Sequence, residues 1–454
     1  VNWLIIFDNA DSDDKEELLH EFMPKNPRGS VLVTSRDSAL ANLIEGEILD
    51  GMSEQDAVKL LLRLTGKGAR RGSTIDDNDN ARMSEAKEIV RQVSCLAIGV
   101  LQAARIINTD AMTLSDFLEE FDRRNLITRT SSLGLVRRPG DPYPLTLSTV
   151  WTMSFEKLKS DQRTLLNVLS FLDPDMIQVD LLKDSAIKVA RTRAHPSFPL
   201  NDVSKFNKCK GAVVRSSLVN QNSNSNSLWM HRLVQEACQL SMSPAERQEA
   251  FTTAYECVKS MWPVAPRDNR HRPDLWPAQM KCFAHVEAIA RAFHESQPTD
   301  SPLSADSDLL MLICDAAFYT YERGIPEPCI PLCLIAEAHA SLYDDSELIM
   351  VDMYRAKGSV ETETNRFQAC YDSFVAEYEH WERAVAKNLA QMPDIRAVFA
   401  CGGMGNGLHA LNRYEEAEKW YLKTLELWDG LPGDRKIYVS CLQVISCDLG
   451  VHSG

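Results

Sequence analysis

Asn412-Arg413-Tyr414-Glu415-Glu416-Ala417-Glu418 is the segment on which the fold turns. Gly405 stands twelve positions before Ala417, and Tyr421 follows four after it. Small residues at that spacing let two antiparallel helices approach closely, and an aromatic ring fills the gap they leave. The same arrangement recurs upstream as Gly358–Cys370–Phe374 and, more weakly, as Ala317–Cys329–Cys333, at offsets of 47 and 41 residues. Repetition on that scale indicates stacked helical hairpins. Leu408 and Pro432 complete the last unit, and Gly450 would open another.

Working back from the repeats, nearly everything after Pro244 reads as helix. The stretch 245–295, with Trp262, Trp276 and His285, reads as a helical connector whose tryptophans anchor packing. Before it, Ala212–Val219 and Leu228–Met230 have strand character and flank an Asn/Ser-rich tip, Asn220 to Ser227. That predicts a hairpin with a long flexible loop. Met230-His231-Arg232 then opens a helix. Helices are expected between Thr146 and Leu182, ending at Asp173-Pro174-Asp175. Residues 127–144 form a basic, Gly/Pro-rich linker.

Ser53 is a candidate N-cap for a helix that buries Val58, Leu61, Leu62 and Leu64. After a polar loop, a single helix is expected from Ser84 to Ile107. At the start, Trp3-Leu4-Ile5-Ile6-Phe7 is a wholly apolar run ending in Asp8, and Gly29-Ser30-Val31-Leu32-Val33 is a second run ending in Thr34-Ser35-Arg36. Continuous apolar runs predict parallel strands covered on both faces. Their C-terminal ends, where open α/β sheets bind ligands, then carry an acid and a cation. That pair suits a nucleoside triphosphate: Asp8 would hold Mg²⁺ through water, and Arg36 would compensate γ-phosphate charge. An α/β domain without a nucleotide, with Asp8 as a helix cap, is the plainer reading of these strings.

The chain has 454 residues, 44% hydrophobic and 25% charged, with a formal net charge of −15. Length predicts about three domains, and the acidic balance argues against nucleic acid or anionic membrane as a general partner. Locally, Lys188, Arg191, Arg193, Lys205, Lys208, Lys210 and Arg215 face only Asp202, which keeps DNA binding open as a lesser reading. Twelve scattered cysteines without a C-x-x-C pair indicate reduced thiols, with Cys329/Cys333 and Cys441/Cys447 packing rather than binding metal. No apolar run is long enough to span a membrane. The chain begins at Val1 inside a strand, so a longer parent protein is expected.

Trp3–Asp11 and Gly29–Asp37 resemble the Walker B and sensor-arginine segments of the NB-ARC module in STAND-class switch ATPases, a class that includes fungal NOD-like receptors. Cys95-Leu96-Ala97-Ile98-Gly99 resembles that module's G-L-P-L-A region, with Ala97 in place of the proline. Trp151-x-x-Ser154-Phe155-x-x-Leu158, followed by Leu165 to Asp175, resembles its winged-helix segment. Met230-His231 resembles its M-H-D motif, with Arg232 in place of the acid. The 405–432 segment resembles a tetratricopeptide repeat. What the resemblance implies is a mainly α chain with a partial α/β P-loop-type nucleotide-binding domain. Its parts are the end of an NB-ARC domain (1–50), a helical domain (51–126), a winged helix (145–243), a helical connector (244–300) and an α-solenoid of tetratricopeptide repeats (301–454).

The resemblance further implies a cytoplasmic signalling switch, held off by ADP through His231 and oligomerising when ATP replaces it, with the repeats sensing a ligand or binding protein partners. The G-x-x-x-x-G-K-[ST] motif that cradles phosphates is absent from these residues. ADP, ATP and Mg²⁺ are therefore expected only with an upstream P-loop. Asn9 occupies the position of an acid thought to activate water, and an amide cannot accept that proton, so at most slow hydrolysis is expected from the longer protein. A tetratricopeptide scaffold that handles no nucleotide, and a winged-helix transcription regulator, are the alternatives.

Overall fold

The computed structural model describes residues 3–8, 10, 21–24, 29–35, 52–66, 80–93, 95–130, 145–183, 203–222, 224–266, 271–390 and 394–431. The chain is mainly helical and forms two compact units, Val1–Glu120 and Phe121–Gly454.

In the first unit, β1 (Trp3–Phe7) and β2 (Gly29–Val33) pair in parallel, Trp3 opposite Gly29 and Phe7 opposite Val33. The Trp3 indole lies where a Cβ on residue 29 would stand, which demands glycine there. The expectation of two covered faces needs correction. Leu4, Ile6 and Leu32 alternate with the half-buried residues and are 60%, 57% and 51% exposed. A parallel pair has two faces of opposite side-chain parity, and these three residues share one of them.

Helices α1 (Glu54–Thr65), α2 (Asn80–Gln92) and α3 (Ala97–Thr109) pack on one another around Ala57, Leu61, Ile89, Val100 and Ala103. Ser53 caps α1 as expected, accepting from the Asp56 N–H at 3.1 Å. The single helix expected from Ser84 to Ile107 is two helices. The chain breaks at Cys95, whose φ is +52°, and Leu96 is extended before α3 begins. Ala97 is thus the first helical residue, the position where a proline is best tolerated. Helix α4 (Leu114–Thr130) runs into the segment read as a linker; residues 131–144 lie outside the described residues.

The second unit begins within α4 and continues with α5 (Leu145–Glu156) and α6 (Ser160–Leu169), then β3 (Ile177–Gln178), α7 (Val203–Arg215), β4 (Asn220–Asn222), β5 (Ser227–Trp229) and α8 (Arg232–Leu240). The three short strands make an antiparallel sheet in the order β3-β5-β4. Residues 212–215, expected in a strand, are the last turn of α7, because Phe206, Cys209 and Val213 recur at helical spacing and are buried together. The supposed flexible tip is itself β4 and a tight turn, in which the Asn222 carboxamide oxygen accepts the Asn224 N–H at 3.0 Å.

Helices α9 (Pro244–Met261) and α10 (Trp276–Ser296) pair and occupy the connector region. Ser243 and Glu246 form a capping box at the start of α9. Trp262 is buried at its end, and its indole donates to Asp315 at 2.8 Å. There follow α11 (Asp308–Glu322), α12 (Cys329–His339), α13 (Ser346–Glu363), α14 (Phe367–Ala386), α15 (Ile395–Ala410) and α16 (Tyr414–Asp429). They pack as the hairpins α11/α12, α13/α14 and α15/α16, and α11, α13 and α15 also pack in succession.

Two features repeat through this array. The Phe374 ring fills the gap between Gly358 of α13 and Gly403 of α15, and the Tyr421 ring lies against Gly405. In addition, α11, α13, α14 and α15 each end on a left-handed residue: Gly324, Asn365, Asn388 and Asn412. After each, the next N–H turns back to a carbonyl of the last turn, as from Arg366 to Glu361 and from Arg413 to Leu408, both at 2.9 Å. This is the Schellman closure, which satisfies carbonyls that a helix end leaves unpaired.

The described cysteines are free thiols, all buried but Cys95; Cys441 and Cys447 lie outside the described residues. Among the described residues no helix is long and apolar enough to cross a membrane.

Candidate functional site

Asp8 follows directly on β1 and is exposed at the strand's C-terminal end. Backbone bonds tie the two strand exits together: Thr34 N–H to the Phe7 carbonyl at 2.9 Å, and Ala10 N–H to the Thr34 carbonyl at 2.8 Å. Side chains add to them. The Thr34 hydroxyl donates to Asp8 Oδ1 at 2.5 Å, and the Ser35 hydroxyl to the Ala10 carbonyl at 2.7 Å. A carboxylate steadied by a threonine at the end of a parallel strand suits a magnesium ion held through water. Among the described residues no group of three or more His, Cys, Asp or Glu gathers. Arg36 and Asn9 lie outside the described residues.

His231 stands in the second unit, immediately after β5, with φ −70° and ψ 137°. It is the N-cap of α8: its Nδ1 accepts the Leu233 N–H at 3.2 Å. The ring keeps an exposed edge, yet partial burial, with Arg232 beside it, lowers its pKa. A ring whose Nδ1 accepts this N–H is the neutral form of the imidazole. With Nδ1 as acceptor, the proton resides on Nε2, where it can be donated to an anion. Arg232 turns to Asp175 at 3.1 Å. Asp8 and His231 thus fall in different units, and each is placed by its own local scaffold.

Sequence reasoning missed the partners that hold the His231 segment. Its neighbour Met230 is 1% exposed and donates its N–H to the Pro174 carbonyl at 2.9 Å. Gln235 and Gln239 donate to the carbonyls of Leu172 and Ser170 at 2.7 and 2.5 Å. All these acceptors precede their donors by more than fifty residues, and no local pattern announces them. In the basic patch, Lys205 is paired with Asp161 at 3.0 Å, while Lys188, Arg191, Arg193 and Asp202 lie outside the described residues.

Residues 153–247 match a family described as a domain of unknown function, DUF7779. Over 347 residues the chain is 24% identical to a nucleotide-binding leucine-rich repeat (NLR)-like protein of Hyaloscypha variabilis, covering 71% of this chain and 31% of that protein. The chain thus spans about a third of that relative's length. A solved STAND protein with a tetratricopeptide repeat sensor, from Pyrococcus horikoshii, aligns with a TM-score of 0.30 at 14% identity, over 94% of this chain and 68% of its own. The resemblance to NOD-like receptors drawn from the motifs agrees with that NLR-like relative.

Proposed function

We propose that the chain is part of a nucleotide-dependent signalling switch. Residues 1–50 are the end of its nucleotide-binding domain, 51–126 a helical domain, 145–243 a winged helix, 244–300 a connector, and 301–454 a tetratricopeptide array that senses a ligand or binds protein. The observation that carries the reading is His231. A neutral imidazole at a strand-to-helix junction, with Nδ1 engaged by the Leu233 N–H, presents Nε2–H as a donor suited to a phosphate oxygen. ADP held there keeps the switch off, and ATP in its place permits oligomerisation. Asp8 supports the reading as the acid that meets Mg²⁺ through water, and Arg36 as the γ-phosphate sensor. A P-loop, absent from these residues, has to come from upstream, and the whole works in the cytoplasm.

The test is calorimetric titration of ADP and ATP, with Mg²⁺, into the protein carrying its natural upstream sequence. Binding is expected, with the affinity for ADP reduced about tenfold in His231→Ala, equivalent to about 1.4 kcal/mol. Absence of any nucleotide affinity overturns the reading. It would favour a protein-binding scaffold.

A further inference from the structure

The loop between α6 and β3 is gripped from two sides. On one side is the start of α8: the Met230 N–H on the Pro174 carbonyl, Arg232 on the Asp175 carboxylate, and Gln235 on the Leu172 carbonyl. On the other is α10, whose His285 is 1% exposed. Its Nδ1 accepts the N–H of Asp173 at 3.1 Å, across 112 residues of sequence. The loop itself leads into an aromatic path. The Phe171 ring meets Phe251 of α9 edge-on at 5.7 Å, Phe251 stacks with Phe293 of α10 at 6.4 Å, and Phe293 meets His339 of α12 at 5.2 Å.

Pro174 stiffens the centre of this loop, and its two neighbours are tied to different helices, Asp173 to α10 and Asp175 to α8. A displacement of α10 therefore pulls on the carbonyl that holds Met230, the residue before the N-cap histidine. We propose that the Asp173-Pro174-Asp175 loop couples the helical array to the Met230-His231-Arg232 segment, with His285 as the positioning residue on the array's side. The proposal deepens the switch reading and rests on it for its biological meaning. The mechanical coupling itself requires no nucleotide. By linkage it acts in both directions.

Amide hydrogen exchange on the intact chain, without nucleotide, tests it. His285→Phe keeps a ring and removes the acceptor, and His285→Asn returns an acceptor near the place of Nδ1. The expected result is at least tenfold faster exchange in His285→Phe at Asp173 and also at Met230 and Leu233, with recovery in His285→Asn. Faster exchange at Asp173 with Met230 and Leu233 unchanged would overturn the proposal, as would no change at any of the three. Arg232→Gln, at the surface, supplies the reverse arm should the buried variant misfold: Asp173 is expected to lose protection, and an unchanged Asp173 amide counts against coupling. ADP affinity is not read in these measurements. A protein that binds no nucleotide can still show the coupling, and a protein without the coupling can still bind ADP through His231.

Discussion

The Phe374 ring occupies the space a Cβ on Gly358 would need: that atom would fall 2.7 Å from ring carbon Cε1. Two opposed effects meet at this position. Glycine to alanine inside a helix ordinarily gains about 1 kcal/mol of helix propensity. Overpacking a filled core costs about 1–3 kcal/mol, and Phe374 cannot retreat because Gly403 borders it on the other side. Gly358→Ala is therefore expected to destabilise the second unit by roughly 1 kcal/mol, read as a lower urea midpoint. Adding Phe374→Leu should recover part of that loss. Simple additivity of the two substitutions would show that the ring and the glycine do not share one space.

The helix ends of the array make a second prediction. Asn412 has φ +61°, a conformation in which asparagine is tolerated and alanine is strained by about 1–2 kcal/mol. Asn412→Ala should lower stability by roughly 1 kcal/mol, whereas Asn412→Gly should leave it unchanged or raised. Thermal unfolding of the three proteins checks the order. Equal losses for Ala and Gly would mean that the Asn412 side chain, which accepts from the Tyr414 hydroxyl, matters more than its backbone.

Much of this architecture was legible because it is local. Small residues and aromatics at repeat spacing marked the hairpins, and the apolar runs ending in Asp8 and Thr34 marked the two parallel strands. Gly403 was missed, although it presses on the same ring as Gly358, because its partner lies in the preceding hairpin. Val213 and Val214 suggested a strand by their branching. Burial of Phe206, Cys209 and Val213 on one face overrode that preference and made a helix. The break at Cys95 depends on a positive φ that cysteine rarely adopts, so composition gave no warning of it. At the candidate site, the places of Asp8 and His231 could be read from their flanking runs. The Pro174 carbonyl and His285 could not, since tertiary packing alone brings them there.

Glu347 of α13 collects three donors from α14 and its C-cap: His380 Nδ1 at 2.6 Å, Lys387 Nζ at 2.8 Å and Arg383 Nε at 3.2 Å. Burial pushes this carboxyl's pKa up, but the hydrogen bonds from Lys387, His380 and Arg383 outweigh it and bring the value down to about 2. The folded value lies below the ordinary 4.5, so the stabilisation is complete above pH 4.5 and fades as pH falls from there toward 2. Glu347→Gln should thus be less stable than the parent at pH 7, with the difference shrinking by roughly 1 kcal/mol by pH 3.5. Urea midpoints at both pH values measure it. A constant difference would mean that the carboxylate charge contributes nothing there.

His285 should give the opposite signature to an ion-paired histidine. Burial brings its pKa down to about 4, with the nearby Asp173 pulling weakly the other way. The neutral ring is also the form whose Nδ1 can accept the Asp173 N–H. In the unfolded chain the imidazole protonates near 6.5, whereas in the fold it resists until about 4. Nothing is lost above pH 6.5. Below it the unfolded state binds a proton that the folded state refuses, and stability declines until the folded ring also protonates. His285→Asn carries no such proton. Between pH 7 and 4.5 the parent should lose roughly 2 kcal/mol more than this variant, with denaturant midpoints as the measure. Coincident pH profiles would mean that the ring protonates as readily in the fold as out of it, a result incompatible with an acceptor nitrogen buried against the Asp173 amide.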